Sequence, residues 1–158
     1  MTIVTKNPYE ISDPRYFAHS GTEHGHQVAL FAWAAIQCGH HPELKLLFAI
    51  PNGGSRGDNK RSAMIQGATM KAEGVKPGVS DCMLPVSRHG MHGLWIEMKK
   101  PGGKESEEQI KWGAAMVEQG YWYQCCDHWL SAAKLIASYL SMDHAIVTEL
   151  AAYEAIPA

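Results

Sequence analysis

The chain has few cysteines, and their spacing matches no metal or redox motif. Its four cysteines include no CxxC pair, and a chain of 158 residues can bury a hydrophobic core without disulfide bonds. We therefore expect a reducing compartment. The opening residues show no signal peptide, and the longest apolar run, residues 28–36, is too short to cross a bilayer. These absences predict a soluble, cytoplasmic protein with no membrane contact.

The chain also lacks a strong net charge of either sign. Its formal charge is −2, whereas nucleic-acid-binding domains are often strongly basic. The distribution is uneven, however, because residues 56–111 contain ten basic and seven acidic side chains while the remaining chain is acidic. This modest basic bias surrounds the most informative motif of the sequence, at residues 93–100.

Several familiar catalytic and binding loops are missing. The glycine-rich stretch PNGGSRG at 51–57 lacks the Lys-Ser/Thr ending of a phosphate loop and does not match GxGxxG. No GxSxG elbow of a serine hydrolase is present. Six of the nine histidines lie in pairs at 24–26, 40–41 and 89–92, but without partners at the spacing of structural zinc sites. Solvated loop histidines are therefore favoured over a zinc site.

The periodicity of apolar residues predicts a single α/β domain spanning residues 1–158. An apolar content of 46% supports a buried core, and the alternation of helical and strand patterns predicts a mixed sheet flanked by helices. We expect an irregular arm over 1–19 and a C-terminal helix within 141–158. Helices are predicted over 22–38, 58–73, 106–119, 128–141 and 143–155, and strands over 44–50, 82–87, 94–99 and 121–125.

The stretch GLWIEMKK at 93–100 combines an apolar face with a charged one. Successive side chains of a strand point to opposite faces, so Leu94, Ile96 and Met98 share one side while Glu97 and Lys99 share the other. Such a pair is also common on a solvated strand face. Its neighbours in the sequence therefore decide whether it belongs to a chemical site.

A second carboxylate is predicted to approach this pair. Asp81 precedes one strand and Glu97 lies on the next, so a hairpin would bring both carboxylates to the same end of the sheet. Two converging carboxylates repel each other, and Mg²⁺ relieves that repulsion. A metal-activated water, with Lys99 stabilising charge on a phosphate, would suit phosphodiester hydrolysis.

Four motifs together resemble the VRR-NUC family, a branch of the PD-(D/E)XK nuclease superfamily. They are GVKPGVSD at 74–81, WIEMK at 95–99, EEQIKW at 107–112 and GYWYQ at 120–124. The resemblance covers about residues 20–140. It implies a restriction-endonuclease-like fold, in which helices flank a mixed β-sheet core, and a metal-dependent deoxyribonuclease activity.

The resemblance also implies roles for individual residues. Asp81, Glu97 and the backbone carbonyl of Met98 would bind Mg²⁺, for which Mn²⁺ could substitute, and Lys99 would assist catalysis. Glu23 on the first predicted helix would add a further acidic ligand to the metal, and Gln109 would act near the site. One departure from the family pattern is Ser80, which stands where a proline usually precedes the aspartate.

Substrate and oligomeric state follow from the same resemblance. A basic helix after the PNGG turn would contact DNA phosphates through Arg56, Lys60 and Arg61, although an ordinary solvated helix face explains these residues about as well. Standalone family members resemble small phage or bacterial proteins that act on branched DNA such as Holliday junctions. We therefore expect a homodimer. The apolar stripe at 129–140 is a candidate dimer face, although such a stripe more often faces the core.

Other interpretations remain open from the sequence. Both Ser20 to Glu23 and Ser106 to Gln109 match a capping box, in which the acidic or amide side chain would only bond the backbone. The chain could also be a DNA-binding or assembly module that has the fold without cleavage activity, or a structural α/β protein whose polar strand face is solvated.

Overall fold

The computed structural model describes residues 13–51 and 60–155. Within these ranges a mixed four-stranded sheet is flanked by helices. The helices are α1 (Pro14–Ala18), α2 (Glu23–Gln37), α3 (Lys60–Ala72), α4 (Glu107–Glu118), α5 (Trp129–Tyr139) and α6 (His144–Ala155), and a 3₁₀ helix spans Pro42–Leu46. The strands are β1 (Phe48–Ala49), β2 (Cys82–Leu84), β3 (Leu94–Met98) and β4 (Trp122–Cys126).

The strands lie in the order β1-β2-β3-β4. β1 pairs antiparallel with β2, and β2 pairs antiparallel with β3. β3 and β4 are parallel, and helix α4 makes the crossover that a parallel connection requires. The predicted α/β architecture, with a hairpin-like β2–β3 pair, is confirmed.

Strand β3 is covered on both faces. Leu94, Ile96 and Met98 have no exposed surface and belong to the hydrophobic core, together with Trp33 of α2 and Trp129 of α5. The opposite face lies under α4, where Trp95 meets Trp112 edge to face with ring centroids 5.7 Å apart. The polar residues of β3 are therefore enclosed between the sheet and a helix.

The apolar stripe of α5 faces this core. Trp129, Ile136, Tyr139 and Leu140 are all buried within one chain. The stripe is therefore accounted for by packing, and the candidate dimer face proposed from the sequence is not available as a surface. None of the helices in the described ranges combines the length and apolar character needed to span a membrane.

Three predicted segments differ in the structure. The arm expected over 1–19 contains helix α1, which Asp13 caps by accepting from the Arg15 N–H; residues 1–12 lie outside the described ranges. Of the strand expected over 44–50, residues 44–46 belong to the 3₁₀ helix and only Phe48 and Ala49 pair as β1; Leu44 and Leu47 are buried at a spacing of three, which suits the 3₁₀ helix. Strand β2 ends before Pro85, which has no N–H for the ladder. Pro85 within the predicted strand 82–87 had indicated an edge strand or a bulge, but β2 lies between β1 and β3, so Pro85 follows the end of an inner strand.

Candidate active site

Asp81 and Glu97 meet at one end of the β2–β3 pair. Cys82 is opposite Ile96 in the antiparallel register, so Asp81 lies beside the end of β3. The Met98 N–H donates to Asp81 Oδ2 at 2.9 Å, and the Asp81 carbonyl accepts from the Ile50 N–H at 2.7 Å. The hairpin thus fixes the Asp81 side chain against β3, as the sequence predicted.

The loop that carries Asp81 is held against the start of α4. Gly78 has a φ of +82°, and a Cβ at this position would lie 2.5 Å from the Glu108 carbonyl oxygen. Only glycine tolerates both the left-handed backbone and this close approach. The GVKPGVSD motif therefore brings the loop before β2 and the first turn of α4 into contact on the Glu97 face of the sheet.

Glu97 is completely buried, which is unusual for a carboxylate. Its Oε1 accepts hydrogen bonds from the Lys99 Nζ at 2.7 Å and from the Gln109 Nε2. Its Oε2 has no hydrogen-bond partner among the described residues. Burial raises the pKa of Glu97 to about 7, against the opposing effect of Lys99, and the nearby Asp81 raises it further. The single ammonium group of Lys99 therefore does not balance the two carboxylates of Glu97 and Asp81.

This arrangement fits a magnesium ion. The unpartnered Oε2 of Glu97 and the adjacent Asp81 carboxylate offer oxygen atoms, the ligand type that Mg²⁺ prefers, and Met98, whose carbonyl is the predicted backbone ligand, donates its N–H to Asp81. Across residues 13–51 and 60–155, no group of three or more His, Cys, Asp or Glu side chains could hold a metal. Mg²⁺ commonly uses one or two carboxylates and keeps several waters, so two carboxylates suffice. The histidine clusters form no zinc site among these residues.

Lys99 is the cation of the site. Its side chain is almost fully enclosed, and its Nζ lies 2.7 Å from Glu97 Oε1 and 3.6 Å from Glu23 Oε2. Burial lowers the pKa of Lys99, but the hydrogen bond and charge of Glu97, with Glu23 and Asp81, outweigh burial and raise it. Lys99 therefore stays charged at neutral pH.

Glu23 faces the site through Lys99. Thr22 caps α2 by accepting from the Gly25 N–H at 3.0 Å, and Glu23 is the first residue of the helix. Ser20 is therefore not the N-cap, and the Ser20 to Glu23 capping box expected as an alternative does not form. The Glu23 carboxylate is about half exposed and contacts the ammonium of Lys99.

Gln109 combines the two roles that the sequence left open. Its Oε1 accepts from the Ser106 N–H at 2.8 Å, while Ser106 Oγ accepts from the Gln109 N–H, which completes a capping box at the start of α4. Its Nε2 donates to Glu97 Oε1. The capping box uses the amide oxygen, so it turns the NH₂ group toward the carboxylate.

The structure says little about the three residues predicted to bind nucleic acid. Arg56 lies outside the described residues, and Lys60 and Arg61 begin helix α3. Three exposed lysines on the two loops beside the site were not predicted to bind nucleic acid: Lys76 before Asp81, and Lys100 and Lys104 after Lys99. The signal was their position, because Lys76 lies within GVKPGVSD, Lys100 directly follows WIEMK, and Lys104 lies between WIEMK and EEQIKW. None of them forms an ion pair within the described part of the chain.

Ser80, the departure from the family pattern, is fully buried next to Asp81. Its hydroxyl has no partner in the described ranges. The Ser80 hydroxyl therefore contributes no hydrogen bond to the site within these ranges. The turn that carries Asp81 forms without the proline.

Comparison with known proteins supports the fold. No protein-family model matches the chain, and no curated protein matches it. Among solved structures, the fold is similar to that of a "VRR_NUC domain protein", with a TM-score of 0.62 and 21% sequence identity over 77% of this chain and 90% of that chain. This likeness supports the fold that the sequence motifs led us to expect. The chain thus has the mixed α/β, nuclease-like fold that it shares with a VRR_NUC domain protein.

Proposed function

We propose that this protein is a magnesium-dependent DNA endonuclease that hydrolyses phosphodiester bonds. The observation that carries the proposal is the buried Glu97 carboxylate, which has one oxygen held by Lys99 and Gln109 and the other unpartnered beside Asp81. A purely structural strand would expose such a carboxylate to water or saturate both of its oxygens.

Each residue of the site has a proposed role that follows from its chemistry. Asp81, Glu97 and the Met98 carbonyl would hold Mg²⁺, with Mn²⁺ as a substitute, and Glu23 would add a further acidic group. The ion, when bound, would supply an acidified water and offset charge on the scissile phosphate. The ammonium group of Lys99 would donate a hydrogen bond to a phosphate oxygen, and its positive charge would stabilise the negative charge that develops there. Gln109 holds the Glu97 carboxylate in its orientation.

Three exposed lysines on the loops beside the site offer contacts to a polyanionic substrate. Lys76, Lys100 and Lys104 form no ion pair among the described residues. The lysines would contact phosphates of the DNA backbone, in addition to the predicted contacts of Arg56, Lys60 and Arg61.

Replacing Lys76, Lys100 and Lys104 together by alanine should weaken DNA binding and flatten its salt dependence. The slope of log affinity against log salt should fall by about 0.9 for each phosphate that the variant no longer neutralises. Titrations of duplex DNA in metal-free buffer at several salt concentrations measure this slope. Lys45→Ala, an exposed lysine on the 3₁₀ helix, is the control and should leave the slope unchanged. A wild-type slope in the triple variant would rule out these loops as the DNA-binding surface.

We further propose that the substrate is branched and that the enzyme is a homodimer. A four-way junction must be cut on two opposed strands, and two identical sites related by a two-fold axis match that symmetry. Cleavage of linear, flapped and four-way DNA with Mg²⁺, Mn²⁺ or Ca²⁺ tests the proposal, with sedimentation to give the mass. Paired, symmetric nicks and twice the monomer mass are expected. A monomer that cuts all three substrates equally well would contradict the branched-DNA and dimer proposals, and binding without any cleavage would favour the alternative of a DNA-binding or assembly module.

A further inference from the structure

We propose that Tyr123 and Glu105 form a clamp that positions Gln109, and that this clamp sets the Mg²⁺ affinity of the site. The Tyr123 hydroxyl donates a hydrogen bond to Glu105 Oε1 and lies 3.5 Å from the Gln109 carbonyl oxygen. Tyr123 lies within the GYWYQ motif and Glu105 lies between two motifs, and neither was predicted as a site residue. The proposal rests on the proposed function because it concerns the same metal site.

The ring of Tyr123 fixes helix α4 against the sheet. Tyr123 pairs with Trp95 in the parallel β3–β4 register, and its ring lies against Gly113 of α4 so closely that a Cβ at Gly113 would overlap it. A glycine in the middle of a helix lowers helix stability, so this position trades helix propensity for a close approach. This close contact between α4 and β4 places the first turn of α4 above Glu97.

The hydroxyl of Tyr123 holds the loop that enters this helix. Glu105 immediately precedes Ser106, the N-cap of α4. Burial raises the pKa of Tyr123, as does its hydrogen bond to Glu105, so the phenol remains a donor at neutral pH. The clamp therefore ties β4 to the loop at the point where the capping box begins.

The clamp reaches the metal ligand through Gln109. Once Ser106 is fixed, its N–H holds the Gln109 Oε1 at 2.8 Å, and the NH₂ group of Gln109 is directed to Glu97 Oε1. Lys99 donates to the same oxygen. Both donors thus occupy Oε1 and leave Oε2 available for a cation. Loss of the clamp would let the Gln109 amide move and the Glu97 carboxylate rotate.

Tyr123→Phe keeps the ring against Gly113 and removes only the hydroxyl. We expect Mg²⁺ affinity, measured by titration calorimetry without DNA, to fall about tenfold, the lower end of what loss of an outer partner of a metal ligand costs. The side-chain NH₂ resonances of Gln109 should also shift in the metal-free protein. Glu105→Ala should have the same effects, the double variant should lose no more than either single one, and Glu105→Gln, which keeps an acceptor, should restore most of the affinity.

Tyr139→Phe is the matched control, because it removes another buried tyrosine hydroxyl, which donates to the Val86 carbonyl at 2.7 Å. It should lower the unfolding temperature and leave Mg²⁺ affinity and the Gln109 resonances unchanged. Unchanged Gln109 resonances in Tyr123→Phe would overturn the clamp, as would an equal loss of Mg²⁺ affinity in Tyr139→Phe. If the wild-type protein bound no Mg²⁺, the proposed function and the effect on affinity would both fail, whereas the Gln109 resonances would still test the positioning by Tyr123.

Discussion

Glu97→Gln is expected to lower Mg²⁺-dependent DNA cleavage by about three orders of magnitude, equivalent to ~4 kcal/mol of transition-state stabilisation. The substitution keeps the shape of the side chain and removes the charged oxygen that has no protein partner. The fold should survive, because glutamine can still accept from Lys99 and the substitution removes a buried charge. Single-turnover cleavage and thermal unfolding measure the two effects.

Two further variants make this test specific. Asp81→Asn should also abolish cleavage while preserving DNA binding, because it removes the second carboxylate of the site. Glu43→Gln removes a carboxylate paired with Arg88 at 2.9 Å away from the site, and it should leave cleavage unchanged. Near-wild-type cleavage by Glu97→Gln at limiting Mg²⁺ would show that the assigned metal site is wrong.

Lys99→Met should lower the cleavage rate at saturating Mg²⁺ by two to three orders of magnitude, consistent with the loss of one preorganised charge worth ~3 to 4 kcal/mol. Methionine keeps an unbranched apolar stem in the buried position and removes only the ammonium. Glu97 then lacks its charged partner, so the Mg²⁺ activation curve must be measured together with the rate.

The dependence of the lost cleavage rate on Mg²⁺ concentration distinguishes a catalytic role of Lys99 from a structural one. A lower rate that persists at saturating Mg²⁺ assigns Lys99 to the chemical step. If saturating Mg²⁺ restored the wild-type rate, Lys99 would serve only to organise the Glu97 carboxylate. Lys134→Met, which breaks the ion pair with Glu154 on α6, controls for loss of a partly exposed lysine and should leave cleavage unaffected.

The placement of the two carboxylates could be predicted from sequence because it depends on local rules. Alternation along β3 puts Glu97 and Lys99 on one face, and a short connection between β2 and β3 brings Asp81 to the same end. The same rules gave the helices α2, α4, α5 and α6 close to their observed bounds. Such patterns depend on neighbours within a few residues along the chain or across one hairpin.

Rules that use only neighbouring residues failed in short apolar segments. The run from Leu44 to Ile50 has the composition of a buried strand, but packing of Leu44 and Leu47 against the core selects a 3₁₀ helix and leaves two residues to pair with β2. The apolar stripe of α5 could also have faced a partner, although such a stripe more often faces the core, and only its burial in the structure resolved this. Short apolar segments carry little periodicity, so tertiary contacts decide their conformation.

The sequence by itself determined which residues meet at the candidate site, because strand alternation and the β2–β3 pairing bring Asp81, Glu97 and Lys99 together; their catalytic roles stay predictions. Only the tertiary structure decided their environment. It covers Glu97 with α4, directs Glu23 to Lys99, and lets Gln109 cap its helix and bond Glu97 at once. The physical reason is that burial and hydrogen-bond saturation arise from elements far apart in sequence, which no local pattern of residues encodes.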